Sequence, residues 1–345
     1  MRRWTIFMLL LLIITACQKG EPVATGFLHG DFAYTAYQNQ VKVINVANET
    51  APQFVTEIEL PGNVMKVETD GRYLYIAHST NASSWDSRSG PPNAGLQIAD
   101  ISNPAQPQNL GHFYTKGLPT DLVLYGDFVY LATRDYIDII NVRNREAPRH
   151  LATFFEGGNT LMRSGEQMVA SWGGCNFRTG SCGGGFNLFT LDDPKAITQI
   201  AHFQTNQIPA YDVALSNGYA FGTGKGMWAT DLANLDQLQI NGRYELNNGF
   251  LYPAQIIVDG TIAYVTQFDG LHIMDVSEPT NPTLLGIYPT SNQLTDLALR
   301  NGRIYLVGWS GLEIVDVTNT AAPKLLGYHA TDYPAQIFPQ PTATP

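Results

Sequence analysis

The chain is poor in cysteine, in charge and in long apolar runs. Three cysteines in 345 residues are too few for disulfides to stand in for a hydrophobic core. Charged residues make up 14%, with 20 basic against 30 acidic. Nucleic-acid binding draws on clustered Lys and Arg that neutralise phosphates, so no such partner is expected. Beyond residue 16, no apolar stretch approaches the ~20 residues that a membrane-spanning helix requires. No G-x-S-x-G, H-E-x-x-H, C-x-x-C or EF-hand pattern occurs, so no catalytic residue and no metal-ligand set is assigned. What the chain has in quantity is glycine (32), proline (20) and aromatics (11%), which suits a turn-rich all-β fold.

Residues 1–16 read as a targeting segment, with Arg2 and Arg3 ahead of an apolar stretch over 4–14. The sequence Ile14-Thr15-Ala16-Cys17 resembles the bacterial lipobox, in which the cysteine is acylated, as with palmitate, and becomes the new N-terminus. An ordinary secretory signal is the alternative. The lipobox reading predicts a signal peptide over 1–16 and a lipid-anchored linker over 17–25. It also predicts export to the cell envelope, at an outer membrane or the outer face of the cell membrane. A membrane surface is then a partner through lipid on Cys17. The mature chain carries 18 basic and 30 acidic residues, a formal charge of −12. The other two cysteines, in "CNFRTGSC", read as a disulfide between Cys175 and Cys182 across a loop. Neither His nor an acidic residue stands beside them to complete a metal site.

The phrase "GLEIVDVTNTAAPKLLGY" (311–328) echoes "GLHIMDVSEPTNPTLLGIY" (270–288), forty-one residues earlier. Its core recurs seven times, starting at Val41, Leu96, Ile137, Phe186, Met227, Leu271 and Leu312. Each unit carries four strand signals, for example "LTDLALR" (294–300), "RIYLVG" (303–308), "LEIVDV" (312–317) and "PKLLGYH" (323–329). Four short strands per ~40 residues is the pattern of a propeller blade. The predicted fold is all-β: a seven-bladed β-propeller of four-stranded antiparallel blades over 26–338, followed by a Pro/Thr-rich disordered tail over 339–345. "YPAQIF" (333–338) repeats "YPAQII" (252–257), the start of an earlier blade, while "HGDFAYTAY" (29–37) repeats "YGDFVYLAT" (125–133). Closure is therefore expected through one blade that joins an inner strand from the C-terminus to three strands from the N-terminus.

The consensus GLxIxDxS-x-NP-x-x-LG-x-Y resembles the LVIVD repeat of exported bacterial and archaeal β-propellers. The resemblance covers nearly all of 26–338 and is weakest over 158–245. It implies a propeller at the cell surface and carries no agreed activity.

Two repeat positions differ in how they vary. The end of the third strand admits only Asn45, Asp100, Asn141, Thr190, Asp231, Asp275 and Asp316, short side chains that can accept backbone N–H bonds from the following turn. The innermost-strand position varies in chemistry: Lys66, Asp121, Met162, Asp212, Gln255, Asp296 and Gln336. In a propeller these residues surround one mouth of the channel, where they are candidates to bind a polar ligand, or a cation such as Ca²⁺. The null alternative is a water-filled mouth. The two long insertions, 78–95 and 172–185, emerge at the same end, together with aromatics that include Trp172 and Trp309. The expected function is a binding or interaction module of the envelope that takes a protein, peptide or glycan. The alternatives are a hydrolase- or lactonase-like enzyme, metal-dependent or not, with acidic residues at the mouth, and a purely structural scaffold.

Overall fold

The computed structural model describes residues 27–79, 94–176, 181–206, 208–245 and 254–331. These residues form twenty-eight strands, without a helix, in seven four-stranded antiparallel sheets, each built from strands consecutive in sequence. Blade 1 comprises Leu28–His29, Phe32–Tyr37, Gln40–Asn45 and Gln53–Glu59. Blades 2 to 7 span 63–114, 119–154, 160–206, 213–245, 256–289 and 294–330. The seven-bladed β-propeller is thus present.

The strands become blades because both faces of each sheet are apolar. The third strand of blade 3, Ile137–Asn141, is buried along all but its last residue. Seven hydrophobic clusters follow, one at each seam between neighbouring blades. In the first, Tyr34, Val41 and Val43 of blade 1 pack against Val67, Leu74 and Ile76 of blade 2. The seventh joins Phe27, Leu28, Ala33 and Ile44 of blade 1 to Tyr305, Val307 and Ile314 of blade 7, and it closes the ring. With about 1.5–3 kcal/mol from each large side chain fully buried, every seam adds to a single cooperative core.

Two glycines of the consensus have steric causes. The one that opens the third strand lies so close to the outermost strand that a Cβ would meet a carbonyl oxygen at 1.9–2.1 Å, at Gly95, Gly226, Gly270 and Gly311. Three of these have φ of +107°, +140° and +143° (Gly226, Gly270 and Gly311), conformations open mainly to glycine. The second glycine, in "LG", lies under the polar turn of the next blade: a Cβ on Gly286 would meet Thr320 O at 2.2 Å, and one on Gly327 would meet Glu49 O at 2.0 Å. The Asp/Asn position behaves as expected. Asn45, Asp100, Asn141, Asp231, Asp275 and Asp316 each accept the N–H two residues on, at 2.7–3.0 Å.

Closure differs from the expectation. Residues 333–338, expected to supply an inner strand to blade 1, lie outside the described residues. The strand beside Phe32–Tyr37 is Leu28–His29, with Leu28 opposite Ala33 and the Tyr34 N–H bonded to Phe27 O at 2.8 Å. Gly30 (φ +53°) sets a two-residue hairpin turn there, matching Gly126 (φ +58°) in blade 3. A segment joined by so short a loop has the lowest closure entropy and takes the position.

Polar contacts reinforce the seam between blades 7 and 1. Arg303 Nε meets Glu49 Oε2 at 2.9 Å, and its Nη1 meets Asp316 Oδ1 at 3.0 Å. Tyr305 O–H donates to Glu49 Oε1 at 3.2 Å, and the Arg300 guanidinium donates to Gly30 O. Arg303 and Glu49 keep 24% and 33% of their side-chain surface exposed, so Arg303→Ala should cost only about 1 kcal/mol in urea unfolding. A double-mutant cycle with Glu49→Ala should recover most of that as coupling, and purely additive effects would contradict the contact.

Candidate functional site at the channel mouth

Innermost strands run away from the mouth, so the residue at the start of each faces its neighbours across the axis. Pairing with the second strand defines the equivalent positions: Lys66 opposite Ala77, Asp121 opposite Ala132 and Asp296 opposite Val307. By the same register, blade 4 contributes Thr160, opposite Ser171, rather than the expected Met162, which pairs with Val169. Met162 packs partly buried against the cluster between blades 5 and 6. Each ring residue lies five positions before the first residue of the hairpin turn, and counting back from Gly165 gives Thr160.

A cavity of about 490 Å³ occupies this mouth. Lys66, Asp121, Gln255, Asp296 and Trp309 line it, joined by Thr120, Thr160 and Thr295. Asp212 and Trp172 are not among its lining residues. The Trp172 ring stacks on His202, with centroids 6.4 Å apart, in the blade 4 sheet. Gln336 lies outside the described residues.

The carboxylates work mainly for the fold. Asp121 Oδ1 accepts the Leu122 N–H at 2.8 Å, and Oδ2 accepts the Leu161 N–H of blade 4 at 2.9 Å. Asp212 repeats this between blades 5 and 6, accepting from Val213 and Ile256, each at 2.9 Å. An innermost strand has one edge without a neighbouring strand, and these carboxylates satisfy its donors from the preceding blade. Asp296 accepts the Leu297 N–H at 2.9 Å and takes the Lys66 ammonium on Oδ2 at 2.9 Å.

Glu68, two residues below Lys66, belongs to the same cluster and was missed in the sequence. Its Oε2 accepts the Leu124 N–H of blade 3 at 3.2 Å. Burial pushes Glu68 up to about 8 and Asp121 up to about 7, and burial likewise raises Asp212. Burial alone would lower Lys66, but Asp296, Asp121 and Glu68 together raise it. Lys66 thus stays an ammonium among carboxylates, the role considered for Ca²⁺. Among the described residues, no three His, Cys, Asp or Glu side chains are placed to hold a metal ion.

The insertion of blade 4 is a ribbon rather than a loop. Gln167–Asn176 and Ser181–Thr190 extend the second and third strands to ten residues each, with the backbone of Cys175 directly opposite that of Cys182. Of the insertion in blade 2, residues 80–93 lie outside the described residues.

A second missed position is the variable residue between the first two apolar positions of the third strand. It holds Lys42, Gln97, Asp138, Asn187, Trp228, His272 and Glu313, and all but Gln97 are buried. Glu313 accepts Tyr288 O–H at 2.7 Å and Thr290 O–H at 2.8 Å, from the outer part of blade 6. Asp138 accepts Thr153 O–H at 2.7 Å and Thr115 O–H at 3.1 Å. The signal was the polar character of this position in six of seven copies.

No curated protein matches the chain in sequence. Among solved structures, it resembles a functionally unknown protein from Desulfotomaculum acetoxidans (TM-score 0.61, 10% identity, covering 87% of this chain and 95% of that one). It also resembles Kuenenia stuttgartiensis hydrazine synthase (0.61, 13%, 91% and 98%). A hypothetical selenium-binding protein from Sulfolobus tokodaii is a third (0.55, 12%, 78% and 76%). At such identities these likenesses speak for the fold alone. The LVIVD repeat model matches 27–59, 61–82, 92–115, 116–150, 253–290 and 295–331, together more than half of the sequence. On that match, and with seven blades in place, the chain belongs to the LVIVD-repeat family.

Proposed function

We propose that the protein is an exported, lipid-anchored binding module of the cell envelope, whose ligand enters the channel mouth. Cys17 carries the lipid in this reading, and Cys175 and Cys182, opposite each other in their ladder, are joined as a staple. The observation that carries it is the 490 Å³ cavity whose charged groups are already engaged with one another or with the backbone while an amide, Gln255, and an indole, Trp309, stand in its lining. Both oxygens of Asp121 accept backbone N–H bonds, which leaves a hydrolase little free carboxylate to use. What remains for a guest is Gln255 and the half-exposed Trp309, with the Thr120, Thr160 and Thr295 hydroxyls, whose protons go to the carbonyls of Gly158, Tyr211 and Val307, left to act as acceptors; the set suits a neutral glycan or a peptide.

The test is calorimetric titration with envelope glycans and short peptides, together with mass spectrometry of the mature N-terminus. Binding should weaken at least tenfold in a Gln255→Ala/Trp309→Ala variant that keeps the wild-type melting temperature. A panel in which no compound is retained, or in which variant and wild type bind alike, would remove the mouth as the site. An unmodified Cys17 would remove the anchor.

A further inference from the structure

The two faces of the disc differ in surface chemistry. Among the described residues, Met65, Tyr114, Phe155, Phe268 and Trp309 stand at the mouth end and are 42%, 64%, 81%, 48% and 57% exposed. They lie at the starts of innermost strands, just past outermost strands, or in turns between second and third strands, all of which emerge at this face. The remaining exposed large apolar side chains sit on outermost strands at the flank, and none lies in a turn of the opposite face. Those opposite turns are built on polar residues such as Asn48, Asn144 and Asn319.

The chain outside the structure starts from this same face. Phe27 lines the mouth cavity, and the strand it leads into runs toward the opposite turn, so the described chain begins on the mouth side. Nine residues lie between Cys17 and Phe27, ten steps of chain. Fully extended, they reach at most about 36 Å. To anchor the opposite face, they would have to cross the three spacings between four strands, about 14 Å, and then descend a seven-residue strand, about 23 Å, with no length left to meet any lipid. The tether is too short for that path.

We infer that the propeller docks on the bilayer with its mouth face down, the aromatic rim sitting in the lipid interface around the channel. The inference rests on the acylated Cys17 of the reading above. Tyr and Trp favour the interfacial zone because each presents an apolar ring and a polar tip. Acyl chains hold the body at the surface, and burial of the rim fixes its orientation. The ligand of the mouth then comes from the membrane side: a neutral glycan carried on a lipid headgroup.

The acylated protein, reconstituted on phosphatidylcholine vesicles containing bromine-labelled lipid, tests this by quenching. Tryptophan emission should fall, and Trp309→Phe should remove most of the quenched fraction. A Trp309→Phe/Asn319→Trp chain, with its reporter on the opposite face, should show no added quenching. Quenching at 319, or at a Leu325→Trp reporter on the flank but not at 309, would overturn mouth-down docking while leaving the anchor intact. Mass spectrometry without acyl on Cys17 would instead remove the anchor. In that case the Cys17→Ala chain should still partition weakly onto the vesicles, with at least a fivefold loss in Phe155→Ala/Trp309→Ala. No partition at all would overturn the docking face itself.

Discussion

Lys66→Met should destabilise the protein by about 2–4 kcal/mol at pH 8 and by much less at pH 5. Breaking a buried ion pair by removing one partner typically costs ~3–5 kcal/mol. Here Lys66 and Asp296 keep 20% and 22% of their side-chain surface, so the value should fall below that range. Without the ammonium, Glu68, Asp121, Asp212 and Asp296 share one narrow channel with no cation bonded among them. Protons are the remaining means of neutralising them, hence the dependence on pH. The same carboxyls act with the same sign in the wild type. Glu68 and Asp121 are raised to about 8 and about 7 from ordinary values of 4.5 and 3.8. A group held above its unfolded value stabilises fully below that unfolded value, and the contribution is lost as pH rises through the folded one. The contribution of these two groups should therefore decline from about pH 4 to pH 8, with a limiting slope of ~1.4 kcal/mol per pH unit per group, while the buried His78 and His112, held below their ordinary value, add stability as pH rises toward 6.5. Urea unfolding at pH 5 and pH 8 measures both effects, and Glu68→Gln should flatten the wild-type slope. A Glu68→Gln protein that loses as much stability between pH 5 and pH 8 as the wild type does, or an equal loss for Lys66→Met at both pH values, would contradict the account.

The repeat phrase, its seven copies and its four strands were legible because a blade must present two apolar faces and turn at fixed places. Leu96, Ile98, Leu271 and Ile273, all buried, and the capping Asp100 and Asp275 declare this in the sequence alone. The channel ring was legible for Lys66, Asp121, Asp212, Gln255 and Asp296 because their chemistry varies where the backbone makes no demand. Their duties were not legible. That Asp121 and Asp212 bridge blades depends on which N–H groups an innermost strand leaves open across a seam, and seam geometry is written in no local pattern. Thr160 was displaced to Met162 because the eye follows hydrophobicity, whereas the register is fixed by the hairpin turn at Gly165. Glu68 was overlooked since one polar residue on a strand next to solvent looks ordinary. Only the enclosure of the channel makes it costly to ionise.

Trp228→Ala should cost about 3–5 kcal/mol, the range for emptying a large aromatic site in a core. Trp228 is fully buried; its ring stacks on Phe186 at 6.2 Å and meets Phe203 at 6.0 Å across the seam between blades 4 and 5. Its Nε1–H has no hydrogen-bond partner among the described residues, so the loss is one of packing. The residue directly opposite is Gly222, where a Cβ would lie 2.0 Å from Trp228 Cζ2. In blades 2, 3 and 7 the same pairing is Ile76 with Gln97, Leu131 with Asp138 and Leu306 with Glu313, a large apolar residue against a smaller polar one, whereas blades 1, 4 and 6 pair Thr35 with Lys42, Ala170 with Asn187 and Val265 with His272. Blade 5, which the family model does not match, carries the reverse of the arrangement in blades 2, 3 and 7, the smallest residue against the largest. Gly222→Leu alone should overpack the site and destabilise by about 1–3 kcal/mol or more. Gly222→Leu/Trp228→Asn should install the arrangement of blades 2, 3 and 7, recovering at least ~1 kcal/mol relative to the sum of the single effects. Urea unfolding of the four proteins gives the cycle. Strict additivity would mean that the glycine answers to something other than the indole above it.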